Sequence, residues 1–107
     1  MNESPQDITA VFAALGDTTR LQLVHRLAAG EPRSIAQLAE GLGLTHQGVT
    51  KHLNVLENAG LVSGSKVGRE RRFVGEPAAL HQAQSYLSEV AALWDDALLR
   101  LKQFVED

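Results

Sequence analysis

The chain contains no cysteine. That excludes disulfides, thiolate metal ligands and any thiol-based redox switch. It has only three prolines, and aromatic residues make up 5% of the sequence. With so few breakers, long helices are permitted, and aliphatic side chains must build the core. No apolar run approaches the roughly 20 residues of a membrane span. The N-terminus lacks the basic and apolar regions of a signal peptide, so a cytoplasmic location without membrane partners is expected. There is also no Gly-rich phosphate loop and no cluster of metal-ligating residues, so neither an enzyme nor a cofactor is expected. The trio His25, Asp17 and Ser34 is not evidence of a catalytic triad, because any chain of this length offers such trios.

What is present fits one modest core: 107 residues, 44% hydrophobic and 21% charged, which is ordinary for a single globular domain. The net charge is −3, yet its distribution matters more than its sum. Residues 1–44 carry −2, residues 45–75 carry +3 and residues 76–107 carry −4. The positive segment holds Lys51, Lys66, Arg69, Arg71 and Arg72 against Glu57 and Glu70. A basic face on an acidic body orients toward phosphates and disfavours indiscriminate binding.

The stretch Ser34–Gly60 organises the chain. Ile35, Leu38, Ala39 and Leu42 recur at helical spacing, and Ser34 with Gln37 forms a capping box, predicting a helix over 34–42. Val49, Leu53 and Leu56 repeat the rhythm, with Thr45 as cap and Gly60 as stop. The turn at Gly43-Leu44-Thr45 is too short for antiparallel packing, so the helices should cross steeply as a helix-turn-helix. His46, Gln47, Thr50, Lys51 and Asn54 project from the second helix opposite its apolar stripe. Residues near the start of a recognition helix reach base edges in the major groove. Gln pairs with adenine, Thr meets a thymine methyl or a polar atom, and Lys suits guanine or phosphate. Gly48 inside this helix costs roughly 1 kcal/mol against Ala and admits close approach of either a phosphate or the preceding helix.

Upstream, Met1–Gln6 is polar and expected to be disordered. Helices are predicted over 7–15, with Ile8, Val11, Phe12 and Leu15 on one face, and from Asp17 as cap to Ala29. Downstream, Leu61–Val67 and Arg71–Gly75 around Gly68-Arg69-Glu70 read as a hairpin. Its tip is basic, a wing that could follow a phosphate backbone or enter a minor groove, with Arg69 the best minor-groove candidate. From Pro77 no Gly or Pro interrupts a helix to about Val105. Leu80, Ala83, Leu87, Val90, Trp94, Ala97, Leu101 and Phe104 alternate three and four apart, a heptad seam. So long a helix overhangs a small domain, and a second copy is the economical partner. The expected interface comprises Ile8, Phe12, Leu87, Val90, Trp94, Ala97, Leu101 and Phe104. The alternative is one helix folded over its own core.

The expected architecture is therefore mainly α with a small β-hairpin, ordered α-α-α-α-β-β-α. It forms one winged helix-turn-helix domain over 1–107, with the helix-turn-helix at 34–60, the wing at 61–75 and a dimerisation helix at 77–105. Three segments, F-A-A-L-G-D-T-T-R-L at 12–21, V-T-K-H-L-N-V-L-E-N-A-G-L-V at 49–62 and G-R-E-R-R-F at 68–73, resemble the ArsR family of bacterial winged helix-turn-helix repressors. Thr18 stands where relatives often have proline. The resemblance implies a dimer through the first and last helices and a transcriptional regulator of double-stranded DNA.

Metal-sensing members of that family carry cysteine ligands on the helix matching Ser34–Leu42, or Asp, His and Glu ligands on the last helix. The cysteine set is absent here. The last helix offers His81, Glu89, Asp95 and Asp96 without a second histidine at useful spacing, so no metal is expected, although histidines from opposite subunits leave that alternative open. The effector is a small organic ligand, a protein partner, or nothing beyond changes in protein level, and these alternatives stay open. The candidate DNA-contacting set is Thr45, His46, Gln47, Thr50, Lys51, Asn54, Lys66, Arg69, Arg71 and Arg72. The rival reading is a winged-helix adaptor that binds proteins and never reads DNA.

Overall fold

In a computed structural model, residues 5–106 are described. The elements are α1 (Pro5–Leu15), α2 (Thr18–Arg26), β1 (Arg33–Ser34), α3 (Ile35–Ala39), α4 (His46–Asn58), β2 (Val62–Val67), β3 (Glu70–Gly75) and α5 (Pro77–Glu106). The sheet order is β1-β3-β2, antiparallel throughout. Of the N-terminal segment expected to be disordered, Pro5 and Gln6 belong to α1, and the remainder lies outside the described residues.

The core is aliphatic around one ring. Leu23, Leu38, Val49, Leu53, Leu56 and Phe73 are completely buried, so α2, α3, α4 and β3 share one interior. At ~1.5–3 kcal/mol for each fully buried side chain of this size, these six dominate cohesion.

Three boundaries differ from expectation. α2 stops at Arg26 rather than Ala29, because the last turn tightens: Ala28 N–H donates to His25 O, and Gly30 N–H to Leu27 O, three residues back. α3 stops at Ala39 rather than Leu42, because the chain turns out at Glu40 and enters a left-handed conformation at Gly41, φ +78°. Arg26 completes that end, donating to the carbonyls of Leu38 at 2.8 Å and Glu40 at 2.6 Å. Finally, the sheet has a third strand, β1, pairing Arg33 with Phe73 and Ser34 with Arg72. Ser34 serves twice: its backbone ends the strand, and its hydroxyl accepts from Gln37 N–H while Gln37 Oε1 accepts from Ser34 N–H, the expected capping box.

The hairpin begins its return strand at Glu70, one residue before expectation, so Gly68 and Arg69 alone form the tip. Gly68 has φ +66° and, among the described residues, no non-Gly residue is left-handed, which is the two-residue turn with Gly first.

α5 leaves the body as a projecting arm. The Cα radius of gyration is 18.2 Å and the long dimension 68 Å, against roughly 13 Å for a compact chain of this size. Ala79 and Ala83 are buried, Val90 is half-buried, and every residue from 91 to 106 is exposed. None of the described helices is long and apolar enough to cross a membrane.

Candidate nucleic-acid interface

α4 presents the polar face that its sequence spacing implies. Val49, Leu53 and Leu56 point into the core, while His46, Gln47, Lys51 and Asn54 are exposed. Thr45 caps the helix by accepting Gly48 N–H at 3.0 Å on Oγ1. Because that oxygen is used as an acceptor, its own O–H is left to donate, which is what a phosphate oxygen requires. Thr50 is arranged the other way. Its hydroxyl donates back to His46 O at 2.7 Å, leaving an acceptor lone pair and a methyl group rather than a proton. A Cβ on Gly48 would meet Thr45 Oγ1 at 3.3 Å and Leu44 Cβ at 3.8 Å. The residue that needs Gly48 to be small is therefore the cap itself, not α3.

The positive charge of the reading segment is narrower than its sequence suggests. Arg71 is paired with Glu57 Oε1 at 2.9 Å and lies 4.9 Å over the Phe73 ring. Arg72 is paired with Glu70 at 2.7 Å. Among the described residues, Lys51, Lys66 and Arg69 have no such carboxylate partner, and these three account for the segment's charge of +3. Arg71, expected in the DNA-contacting set, thus has a structural role as well.

Glu57, which sequence reasoning passed over, ties the wing to α4. Its two oxygens accept from Arg71 and from Gly64 N–H at 3.0 Å. Gly64 is where β2 crosses Phe73, and a Cβ there would lie 2.8 Å from the ring. A glycine inside a strand pattern signals such close approach, and that was the available clue. At the wing's root, Ser63 donates to Glu76 at 2.6 Å.

A second missed cluster joins α1 to α4. Arg20 donates to the carbonyls of Ala14 at 2.6 Å and Ala13 at 3.3 Å, and to His52 Nδ1 at 3.2 Å. Arginine only donates, so that ring nitrogen accepts. Asp17 caps α2 by accepting Arg20 N–H at 3.0 Å and lies 3.8 Å from His52 Nδ1. The Arg20 backbone N–H, helped by the Arg20 side-chain charge and outweighing partial desolvation, holds the Asp17 carboxyl below its ordinary 3.8.

The expected interface residues are divided. Phe12 is half-buried and meets Tyr86 of its own chain, ring centroids 5.9 Å apart. Ile8 and Val90 are half-buried within the protomer. Leu87, Trp94, Ala97, Leu101 and Phe104 are exposed. Among the described residues no three His, Asp or Glu side chains gather as a metal set.

A helix-turn-helix domain family matches residues 15–64. HTH-type transcriptional regulator Rv2034 of Mycobacterium tuberculosis is 33% identical over 95 residues, covering 89% of this chain and 85% of that one. A protein of Streptomyces lividans named as a probable mercury resistance operon repressor is 36% identical over 74 residues, 68% of this chain and 58% of that one. The solved ArsR-like transcriptional regulator from Rhodococcus sp. RHA1 is 38% identical, covers 92% of each chain and superposes with a TM-score of 0.78. With a polar, cation-flanked α4 and a wing clamped beside it, the chain belongs to the ArsR family of winged helix-turn-helix, DNA-binding transcriptional regulators.

Proposed function

We propose that the chain acts in the cytoplasm as a homodimeric repressor that occludes promoter DNA at a pseudo-palindromic operator. One observation carries this reading. The polar face of α4 and the free cations Lys51, Lys66 and Arg69 are bare, while α5 leaves Leu87, Trp94, Leu98 and Leu101 each more than half exposed. A single chain thus carries one unmet polar surface and one unmet apolar surface. A bare 16-residue helical end, residues 91–106, is marginal in water by itself, and a second copy of α5 supplies what it lacks. Two heads related by a two-fold axis read inverted half-sites spaced by about one helical turn, 34–36 Å, or a multiple.

Gln47 carries the direct base contact in this reading and Lys51 the phosphate beside it, with His46, Thr50 and Asn54 around them. Thr45, Lys66 and Arg69 hold phosphates, Arg69 from the wing tip. Arg71 and Arg72 set the wing's posture and add positive potential. The Streptomyces protein, named as a probable repressor, agrees with the sign of regulation. Release would follow from an effector, a small molecule or a protein, that favours a different spacing of the heads.

Selection of bound sequences from a random duplex pool tests this directly. Recovery of an inverted repeat with helical-turn spacing is expected. Recovery of no motif, with only weak salt-sensitive binding that survives Gln47→Ala and Thr50→Ala, would sink it in favour of an adaptor.

A further inference from the structure

Between α2, the root of the wing and the first turn of α5 lies an open cleft of about 520 Å³. Leu27, Leu61 and Val62, each 2% exposed, form its floor. Leu21 and Leu80 stand at its mouth, 51% and 40% exposed, so an apolar wall faces water. We propose that this cleft binds a small amphipathic amine, its apolar body on the leucines and its protonated nitrogen on the Glu76 carboxylate.

Size and lining set the class of occupant. Sites for small organic ligands run from about 300 to 1,000 Å³ and are mostly apolar, with a few polar groups that fix orientation. Glu76 and His25 are the two polar side chains here. Among the lining residues only Glu76 carries a full charge at neutral pH, and no lysine or arginine is present to receive a carboxylate or phosphate. The cleft is thus negative as well as apolar, which selects a cationic head and disfavours a fatty acid of the same length.

Glu76 is held ready for that head. Its backbone N–H donates to Leu61 O at 2.9 Å, and its Oε2 accepts the Ser63 hydroxyl at 2.6 Å. Among the described residues its other carboxylate oxygen has no partner and no cation pairs with it, and the His25 ring has no hydrogen-bond partner either. An ammonium offers three donors and no acceptor, which suits a free carboxylate oxygen and the acceptor nitrogen of a neutral imidazole. The position also gives an occupant leverage. α2 and the wing's root touch at Gly75, where a Cβ would lie 3.4 Å from Leu27 O, and the cleft opens beside that contact. A ligand seated there bears on α2 from one side and on Leu61, Val62 and Gly75 from the other. Lys51, Lys66 and Arg69 lie outside the lining, so ligand and DNA do not compete for the same side chains.

The site does not depend on the DNA reading, so a failure here leaves that reading standing, and a failed sequence selection leaves the site standing. The test titrates N-phenyl-1-naphthylamine, a neutral dye that brightens in apolar surroundings, into the full chain at neutral pH. Decylamine and decanoate, equal in chain length and opposite in head charge, then compete with the dye below their micelle concentrations. The dye should bind, and decylamine should displace it roughly three- to tenfold more effectively than decanoate, the scale of a partly exposed ion pair. Glu76→Gln should keep the dye and bring that ratio close to one. Leu21→Trp and Ala28→Trp, both at exposed positions of the lining, should exclude the dye with far-UV circular dichroism unchanged. Trp94→Asp/Leu101→Asp, on the bare end of α5, should bind it as the unaltered chain does. Dye binding that survives in both folded tryptophan variants places the probe elsewhere and overturns the proposal. So does an amine preference that is absent, or that persists in Glu76→Gln. Binding that appears only in Trp94→Asp/Leu101→Asp gives the cleft to a second copy of the chain, and no binding by any form closes it to small ligands; either result overturns the proposal.

Discussion

α4 and the far half of α5 are both amphipathic helices, and they end in opposite states. α4 buries its apolar residues completely, with Val49, Leu53 and Leu56 at zero exposure, and shows water a polar face. α5 beyond Val90 buries nothing and shows water Leu93, Trp94, Leu98, Leu99 and Leu101. A bare polar face costs nothing in water and is free to meet a hydrated polyanion. A bare apolar face loses the ~25 cal/mol per Å² that burial would return, so it selects a protein partner. The same periodicity thus serves recognition in one helix and assembly in the other, and which face the domain consumes decides between them.

The comparison can be broken from the α5 side with the largest effect. Trp94→Asp/Leu101→Asp should leave the domain folded, because residues 91–106 are all exposed and none belongs to the buried core. Dimerisation should be lost, and operator affinity should fall by roughly 10²–10⁴ as the two heads lose their linkage, read by sedimentation and gel shift. Breaking α4 from inside is next. Leu53→Ala should destabilise the fold by about 2–5 kcal/mol in urea denaturation and lose DNA binding only where the protein unfolds.

The polar face of α4 gives smaller, more selective effects. Gln47→Ala should cost about 1–3 kcal/mol and relax base preference at one position, whereas Lys51→Ala should weaken all sequences alike and lower the salt slope by about one. Loss of base preference in the Lys51 variant would reverse those two roles. The smallest effect concerns Asp17. Its carboxyl is held below the ordinary 3.8 by the Arg20 N–H, so its contribution is present above that value and is lost as pH falls through the lowered one. Asp17→Asn should therefore flatten the acid limb of a stability-versus-pH curve and leave the neutral region's shape alone.

Much of this was legible before any coordinates. α4 and α5 announce themselves through spacing, caps and the lack of breakers, and Gly68 marks the wing's tip. The polar face of α4 followed, because a buried stripe of Val49, Leu53 and Leu56 leaves Gln47, Lys51 and Asn54 facing water. Other features depend on contacts between distant segments. β1 is two residues long and carries no period. Glu57 looks like any solvated acid until Gly64 and Arg71 are brought to it. On α5, the expected seam is apolar at every position, and only the burial of Ala83 and half-burial of Val90 show which part of it the chain's own body covers. Arg71 and Arg72 stand in the expected DNA-contacting set, and the sequence does not reveal that Glu57 and Glu70 pair with them.

The Arg20 side chain has a mechanical consequence. It holds the final carbonyls of α1 with one set of donors and the His52 ring of α4 with another. It works as a tie-rod at the surface, bypassing the oily interior: a swing of α1 must either stretch these bonds or drag the reading helix along. Sliding of the first helix would then arrive at α4 as a change of tilt, with no repacking of leucines needed on the way.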